Sequence, residues 1–233
     1  MNNKKLIVAL AFVALTTIVL ASSPVADAEN TIVATIGDKG YTSLQDAVDA
    51  STDGDEITIM SDIYSMSTVT IDNDKSLTID LNGHIIESAI NPLNNEKHLY
   101  AIDNYGQLTL LDSSNSQTGT ISARGINNLD SGVMVIESGT YLSIDQRNGG
   151  AAVWNEATIT INGGTFKSTF PGSSSDTYGA GCLNNSGTAL ITRGVFEGAS
   201  LRTYAIISTG DIMIDPISDD DVIVNGGHGG LSR

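Results

Sequence analysis

Apolar residues recur along this chain in pairs two positions apart, and the pairing repeats six times. The pairs are Leu77/Ile79, Leu108/Leu110, Met134/Ile136, Ile159/Ile161, Ala189/Ile191 and Ile212/Ile214. Each stands four and six positions after a polar, Asn-like residue: Asn73, Asn104, Asp130, Asn155, Asn185 and Ser208. Successive units are spaced by 23 to 31 residues. Alternate side chains of a strand share one face, so both apolar files point inward. Registry at this drifting period predicts a solenoid whose coils stack on one another. The intervening outward position reads Thr78, Thr109, Val135, Thr160, Leu190 and Met213. Its drift from polar to apolar predicts a less solvated outer face in the later coils.

A glycine follows each of these strands, as in Gly83-His-Ile85, Gly119-Thr-Ile121, Gly139-Thr-Tyr141, Gly164-Thr-Phe166 and Gly194-Val-Phe196. Glycine turns a corner at positive φ, and the Ile or aromatic two residues on is expected to return to the core. Before the first coil, residues 31–36 alternate as a strand. Leu44, Ala47 and Val48 fall at helical spacing behind Ser43, with Asp46 completing a capping signal. A short helix over residues 43–50 is therefore predicted, followed by a strand within 56–63 and coils to about residue 227. Residues 87–98 and 168–181 are rich in turn formers and are expected to project as loops.

The helix Thr42-Ser-Leu-Gln-Asp-Ala-Val-Asp-Ala50, followed by Asp53-Gly-Asp-Glu-Ile-Thr-Ile59, resembles the start of right-handed parallel β-helices of the pectin-lyase-like superfamily. Leu77-Thr-Ile-Asp-Leu-Asn-Gly-His-Ile85 and Ala157-Thr-Ile-Thr-Ile-Asn-Gly-Gly-Thr-Phe166 are similar to strand-and-turn phrases of its surface proteins. The likeness covers most of residues 41–227. It implies an all-β fold: a single-stranded right-handed parallel β-helix, or solenoid, with a short N-terminal capping helix. It says little about activity, because that superfamily holds lyases, hydrolases, adhesin-like repeats and inert spacers.

Lys4 and Lys5 precede an apolar run from Leu6 to Ala21, and Ala26-Asp27-Ala28 supplies a small-x-small cleavage pattern. A signal peptide over residues 1–28 is expected, with an uncleaved anchor as the rival reading. A secreted or cell-surface location for residues 29–233 follows. That remainder carries a formal charge of −17, which opposes binding to nucleic acid. It also opposes acidic polysaccharide unless a divalent cation bridges the two, so calcium enters only in that case. Cys182 is the single cysteine, which excludes an intrachain disulfide. The same offset in other coils holds Thr70, Ala101, Asn127, Ala152 and Ala205, so the thiol is expected to be a buried spacer.

In the superfamily it resembles, lyases use Arg or Lys with acid-bound calcium and hydrolases use clustered Asp, on an outer face. Here the outward file Asp80, Leu111, Glu137, Asn162, Thr192, Asp215 places its nearest acids two coils, or about 10 Å, apart. Arg193 and Arg202 have no aligned acid cluster. Asp219-Asp220-Asp221 lacks an alternating calcium loop, and Asn225–Gly230 lacks the Asp of glycine-rich calcium repeats. His84, His98 and His228 lack zinc spacing. Neither catalytic nor metal-ligating residues are assigned.

Trp154, Tyr105 and Tyr178 offer rings for stacking on sugars, or seals for turns. Asn184-Asn-Ser186 fits an N-glycosylation acceptor. The reading that results is a non-catalytic, extracellular, adhesin-like or glycan-binding β-helix, whose ligand-binding residues stay unassigned. The alternative is a polysaccharide lyase or glycoside hydrolase. Beyond Ile214 the end of the solenoid is expected to meet a partner, to self-associate, or to be the cut edge of a longer chain.

Overall fold

The computed structural model describes residues 31–93, 98–144, 150–169, 181–198, 204–218, 221–225 and the backbone of 231–232. The expected signal peptide, residues 1–28, lies outside the described residues. From Thr31 the chain winds as a parallel β-solenoid with three sheets, of nine, seven and seven strands. Each coil gives one strand to each sheet in turn. The one helix among the described residues is Leu44–Ala50.

The first sheet carries the paired aliphatic files in the expected register. Leu77 lies beside Leu108, Leu108 beside Met134, Met134 beside Ile159, Ile159 beside Ala189, and Ala189 beside Ile212. The second file runs Ile79, Leu110, Ile136, Ile161, Ile191, Ile214 by the same pairings, and its first five members are fully buried. Burying one such side chain stabilises the fold by about 1.5–3 kcal/mol. The outward file departs from expectation. Met213 is 61 % exposed, so the drift toward apolar residues is not matched by cover over the last coil.

In the second sheet the inward file is Ile86, Ile121, Tyr141, Phe166 and Phe196. The three rings stack nearly parallel, with centroids 5.2 and 4.8 Å apart and interplanar angles of 13° and 11°. In the first of these coils Ile86, not Ile85, enters the core, because the corner there is one residue longer. Gly164 turns its corner at φ 97° as expected. Gly119 serves a different need: a Cβ there would stand 2.6 Å from the Asp112 carboxyl carbon and 2.7 Å from Leu81 Cβ.

The third sheet is built of three-residue strands: Val69–Ile71, Ile102–Asn104, Ile126–Asn128, Val153–Asn155, Leu183–Asn185 and Ile206–Ser208. Their outer residues point in, and the last one starts a buried ladder. The Nδ2 groups of Asn104, Asn128 and Asn155 donate to the Oδ1 of Asn128, Asn155 and Asn185 at 2.8, 2.8 and 2.6 Å, and Asn185 donates to Ser208 Oγ at 3.0 Å. Partners are 24, 27, 30 and 23 residues apart. Each amide also donates across its turn, Asn155 to the carbonyls of Ala157 and Thr188.

Two expected members of this column are corrected. Asn128 occupies the place assigned to Asp130, and Ile71 rather than Asn73 pairs with Asn104. Residues 72–75 and 129–132 make turns two residues longer than the Tyr105-Gly106 type, so counting back from the aliphatic pair lands past the ladder. In the column that holds Cys182 the same corrections replace Thr70 by Thr68 and Asn127 by Gly125. Ala101, Ala152, Cys182 and Ala205 are all buried there, and burial pushes the thiol up to about 12. Cys182 is a core spacer.

The N-terminal end is covered on two sheets. Leu44, Ala47 and Val48 are buried as predicted, and the Asp46 N–H donates to Ser43 Oγ at the N-cap. Gln45 pairs with the exposed edge of the third sheet: its Oε1 accepts from Thr70 N at 2.8 Å, and its Nε2 donates to Thr70 O at 3.1 Å. On the first sheet, Ala34–Ile36 pairs antiparallel with both Asp55–Ile59 and Lys39–Tyr41. Lys39–Tyr41 is a strand that hydrophobic alternation does not announce.

Candidate functional site

The corner between the second and third sheets is where coil lengths diverge. Residues 89–101, 144–152, 169–182 and 198–205 make long connections there, while 67–68 join Ile63–Met66 to Val69–Ile71 and 124–125 join Thr120–Ala123 to Ile126–Asn128. Both insertions expected from sequence therefore leave from one corner, beginning after Ser88 and Ser168, which end strands. Tyr178 and most of the second insertion lie outside the described residues. In the second of these short connections Arg124 places its guanidinium over the Tyr100 ring, 4.8 Å from the centroid.

Beside that corner runs the outward file of the third sheet: Thr70, Asp103, Asn127, Trp154, Asn184 and Ile207, in register from coil to coil. Middle residues of three-residue strands must face out when their neighbours face in. Asn127 Nδ2 donates to Asp103 Oδ1 at 2.6 Å, which fixes both side chains. Trp154, the single tryptophan, is partly exposed and set between Asn127 and Asn184. Its indole Nε1 and Asn184 Oδ1 are shut off from solvent without a hydrogen-bond partner. Such orphaned groups are uncommon and point to water or a ligand completing the surface. Asn184 is also the residue of the expected glycosylation acceptor.

Tyr105 lies elsewhere. The long turns 72–75 and 129–132 stand on either side of the short Tyr105 turn and leave a polar notch of about 450 Å³, lined by Asp72, Asn73, Asp74, Tyr105, Asp130 and Ser131. The two aromatics read from sequence as neighbours of the Asn column thus belong to separate surfaces. Asn73 and Asp130, taken from sequence as ladder members, line this notch instead.

Of the acids considered for chemistry, Asp215 is exposed, while Asp80, Glu137 and Asp221 accept hydrogen bonds. Asp80, expected to face outward, is buried and accepts from the backbone of Asn82 and Ser113 and from Ser113 Oγ. Glu137 accepts from Asn162 Nδ2 at 3.0 Å, and Asn162 Oδ1 from Thr192 Oγ1 at 3.0 Å. Arg193 Nε pairs with Asp221 at 3.1 Å, while Asp221 also accepts from Ser218 N. His84 meets Asp62 at 3.2 Å. Arg202, Asp219, Asp220, His228 and residues 226–230 lie outside the described residues. Among the described residues no three His, Cys, Asp or Glu side chains form a metal-binding group. No described helix is long and apolar enough to cross a membrane.

Asp112 was not singled out by sequence, yet it organises the corner between the first and second sheets. It is 3 % exposed. Its Oδ1 accepts from Gly83 N at 2.8 Å and Ser114 N at 3.1 Å, and its Oδ2 from Gly119 N at 2.6 Å. Burial pushes its carboxyl up, but the Ser114 hydroxyl and the backbone N–H groups of Gly119, Ser114 and Gly83 outweigh it and hold the group below its usual value. A depressed carboxyl contributes stability that is present above the unfolded value of about 4 and is lost as pH falls through the folded value. Asp112→Ala is expected to cost about 2–3 kcal/mol at pH 7. The deficit relative to the native chain should shrink at pH 3, as read by urea denaturation at both pH values. A pH-independent deficit would show that the hydrogen bonds to the ionised form are unimportant.

Compared with protein-family models, with curated proteins and with solved structures, the chain matches none.

Proposed function

We propose that this chain is a non-catalytic, extracellular β-solenoid of the pectin-lyase-like type that binds glycans on the outer face of its third sheet. The observation that carries the reading is the file Asp103–Asn127–Trp154–Asn184, in which a partly exposed indole is set among amide and carboxylate groups next to the corner with the long connections. A sugar ring offers a flat C–H face to an aromatic ring and hydroxyls to flanking amides and carboxylates. A rigid stack of coils holding loops and polar residues along one edge suits recognition of an extended polymer. The engagement of Asp80, Asp112, Glu137 and Asp221 in turn hydrogen bonds favours binding over hydrolysis. The acidic character of the chain favours neutral glycans, with acidic ones requiring calcium. Export through the segment 1–28 completes the proposal.

The test is titration of neutral and acidic glycans, with and without calcium, followed by the fluorescence of Trp154. At least one neutral glycan should bind, and Trp154→Ala should weaken it by about tenfold or more. Trp154→Phe, which keeps a stacking face, should retain most of the affinity. Absence of binding across the panel, or equal affinity in the Trp154→Ala chain by calorimetry, would overturn the reading. Turnover of any glycan would replace it with the lyase or hydrolase alternative.

A further inference from the structure

The two ends of the solenoid are finished differently. At the N-terminal end the hairpin and Gln45 occupy the edges of the first and third sheets. At the other end Asp211–Ile214 is the last strand of the first sheet and, among the described strands, pairs with Thr188–Ile191 alone. Its Ile214 is 37 % exposed although the five residues beneath it in the same inward file are fully buried. Ile212 is half-buried where Leu77, Leu108, Met134, Ile159 and Ala189 are buried. Met213, between Ile212 and Ile214 in the strand, is exposed, as are Ile217 and, in the second sheet, Ile223.

The backbone is open as well. Asp211 N and Asp215 N donate to Gly187 O and Ile191 O, both at 2.9 Å, on the side of the preceding coil. Alternation then directs the N–H and C=O of Ile212 and Ile214 away from it, toward the open edge. Among the described residues this edge thus offers donors and acceptors with no strand beside them, next to the exposed Ile214 and the half-buried Ile212 and bracketed by the exposed carboxylates Asp211 and Asp215.

We infer that this edge is a docking site for an extended segment of another protein, which adds as a further strand with apolar residues over Ile212 and Ile214 and basic residues over Asp211 and Asp215. Charge selects the occupant. A second copy pairing antiparallel about Met213 would set Asp211 of each chain opposite Asp215 of the other, and like charges directly opposite are destabilising. Two bodies that each carry a formal charge of −16 add to that repulsion. A basic, alternating segment meets both the carboxylates and the apolar file, and main-chain hydrogen bonds supply affinity as in other cases of strand addition. The inference is independent of glycan binding, because the third-sheet face and this edge share no residue.

The probe is a blocked, fluorophore-labelled Lys-Ile-Thr-Ile-Lys peptide, compared with Glu-Ile-Thr-Ile-Glu by fluorescence anisotropy on the full chain. The basic peptide should bind, more weakly at high salt, and the acidic one should not. Ile214→Pro removes an N–H that faces the open edge and leaves pairing to Thr188–Ile191 intact, a position where an edge strand tolerates proline. It should weaken binding by about tenfold or more while leaving thermal melting close to native. Joint Asp211→Asn and Asp215→Asn substitution should weaken the basic peptide and abolish its preference over the acidic one. No binding of the basic peptide, equal binding of both peptides, or unchanged affinity in Ile214→Pro would each overturn the inference. A concentration-dependent dimer in light scattering that Ile214→Pro abolishes would assign the edge to a second copy instead.

Discussion

Replacing Phe166 with alanine is expected to cost about 3–5 kcal/mol, the largest loss from any single side chain in this fold. The ring is fully buried and is sandwiched between Tyr141 and Phe196 at centroid separations of 5.2 and 4.8 Å. Its removal leaves a void with aromatic faces on both sides, which neighbouring coils cannot close without breaking their own register. Phe196→Ala should cost less, since only one of its faces stacks on a ring and Val224 lies beyond the other. Tyr141 adds a hydrogen bond from its hydroxyl to Ser138 O at 2.8 Å, so Tyr141→Phe should cost about 1 kcal/mol. Guanidinium denaturation of the four chains checks the order. A Phe166→Ala chain as stable as the native one would mean that the stack does not hold the coils together.

The second large effect is expected at Asn155, in the middle of the amide ladder. Asn155→Ala removes the acceptor of Asn128 Nδ2 and the donor to Asn185 Oδ1, Thr188 O and Ala157 O. Asn128 and Asn185 are buried, so their lost partner is not replaced by water, and a cost of about 2–4 kcal/mol follows. Ser208→Ala, at the end of the ladder, should cost about 1 kcal/mol. Asn155→Asp is the sharper probe. A carboxylate cannot donate to Asn185 Oδ1 or to the two carbonyls, and it places a charge in the core. That variant should be least stable at neutral pH and recover as acid protonates the new group, in contrast to the native chain. Equal stability of Asn155→Asp and the native chain at pH 7 would deny the ladder its role.

What the sequence discloses and what it hides follow from the same geometry. The aliphatic pairs are legible because strand alternation is rigid: two positions apart means the same face, so all six pairs stack as read. Turns are not so constrained. The two longer turns at 72–75 and 129–132 displace the ladder residue by two positions, and counting back from Leu77 and Met134 reaches Asn73 and Asp130 instead of Ile71 and Asn128. Two cues for the third-sheet strand of that coil were present: the doublet Asn127-Asn128, and Gly132 filling the extra turn. Ile85 was taken for Ile86 for the same reason, one residue of corner length.

The candidate site was less legible than the core. Trp154 is legible as a ring for stacking, but Asp103 is not, and Asn127 and Asn184 are read from sequence for other reasons than a shared face with it. They occupy the middle of three-residue strands, too short to show alternation by themselves. Their file becomes visible only after the ladder residue next to each has been placed. Asp112 is hidden because its partners, Gly83, Ser114 and Gly119, donate through their backbones, which no residue type reveals. From sequence the end beyond Ile214 reads equally as a partner site, a self-association surface or the cut edge of a longer chain; the exposed Ile214 and the carboxylates Asp211 and Asp215 are what the structure adds there.

The stacking of coils is tested most directly by nuclear Overhauser contacts between selectively labelled aromatic rings. Rings of Tyr141 and Phe166, and of Phe166 and Phe196, should show strong mutual contacts, and Tyr141 and Phe196, two rungs apart at about 10 Å, should show none. Missing contacts between successive rings, or a direct contact between Tyr141 and Phe196, would contradict a solenoid in which these residues stand one above another.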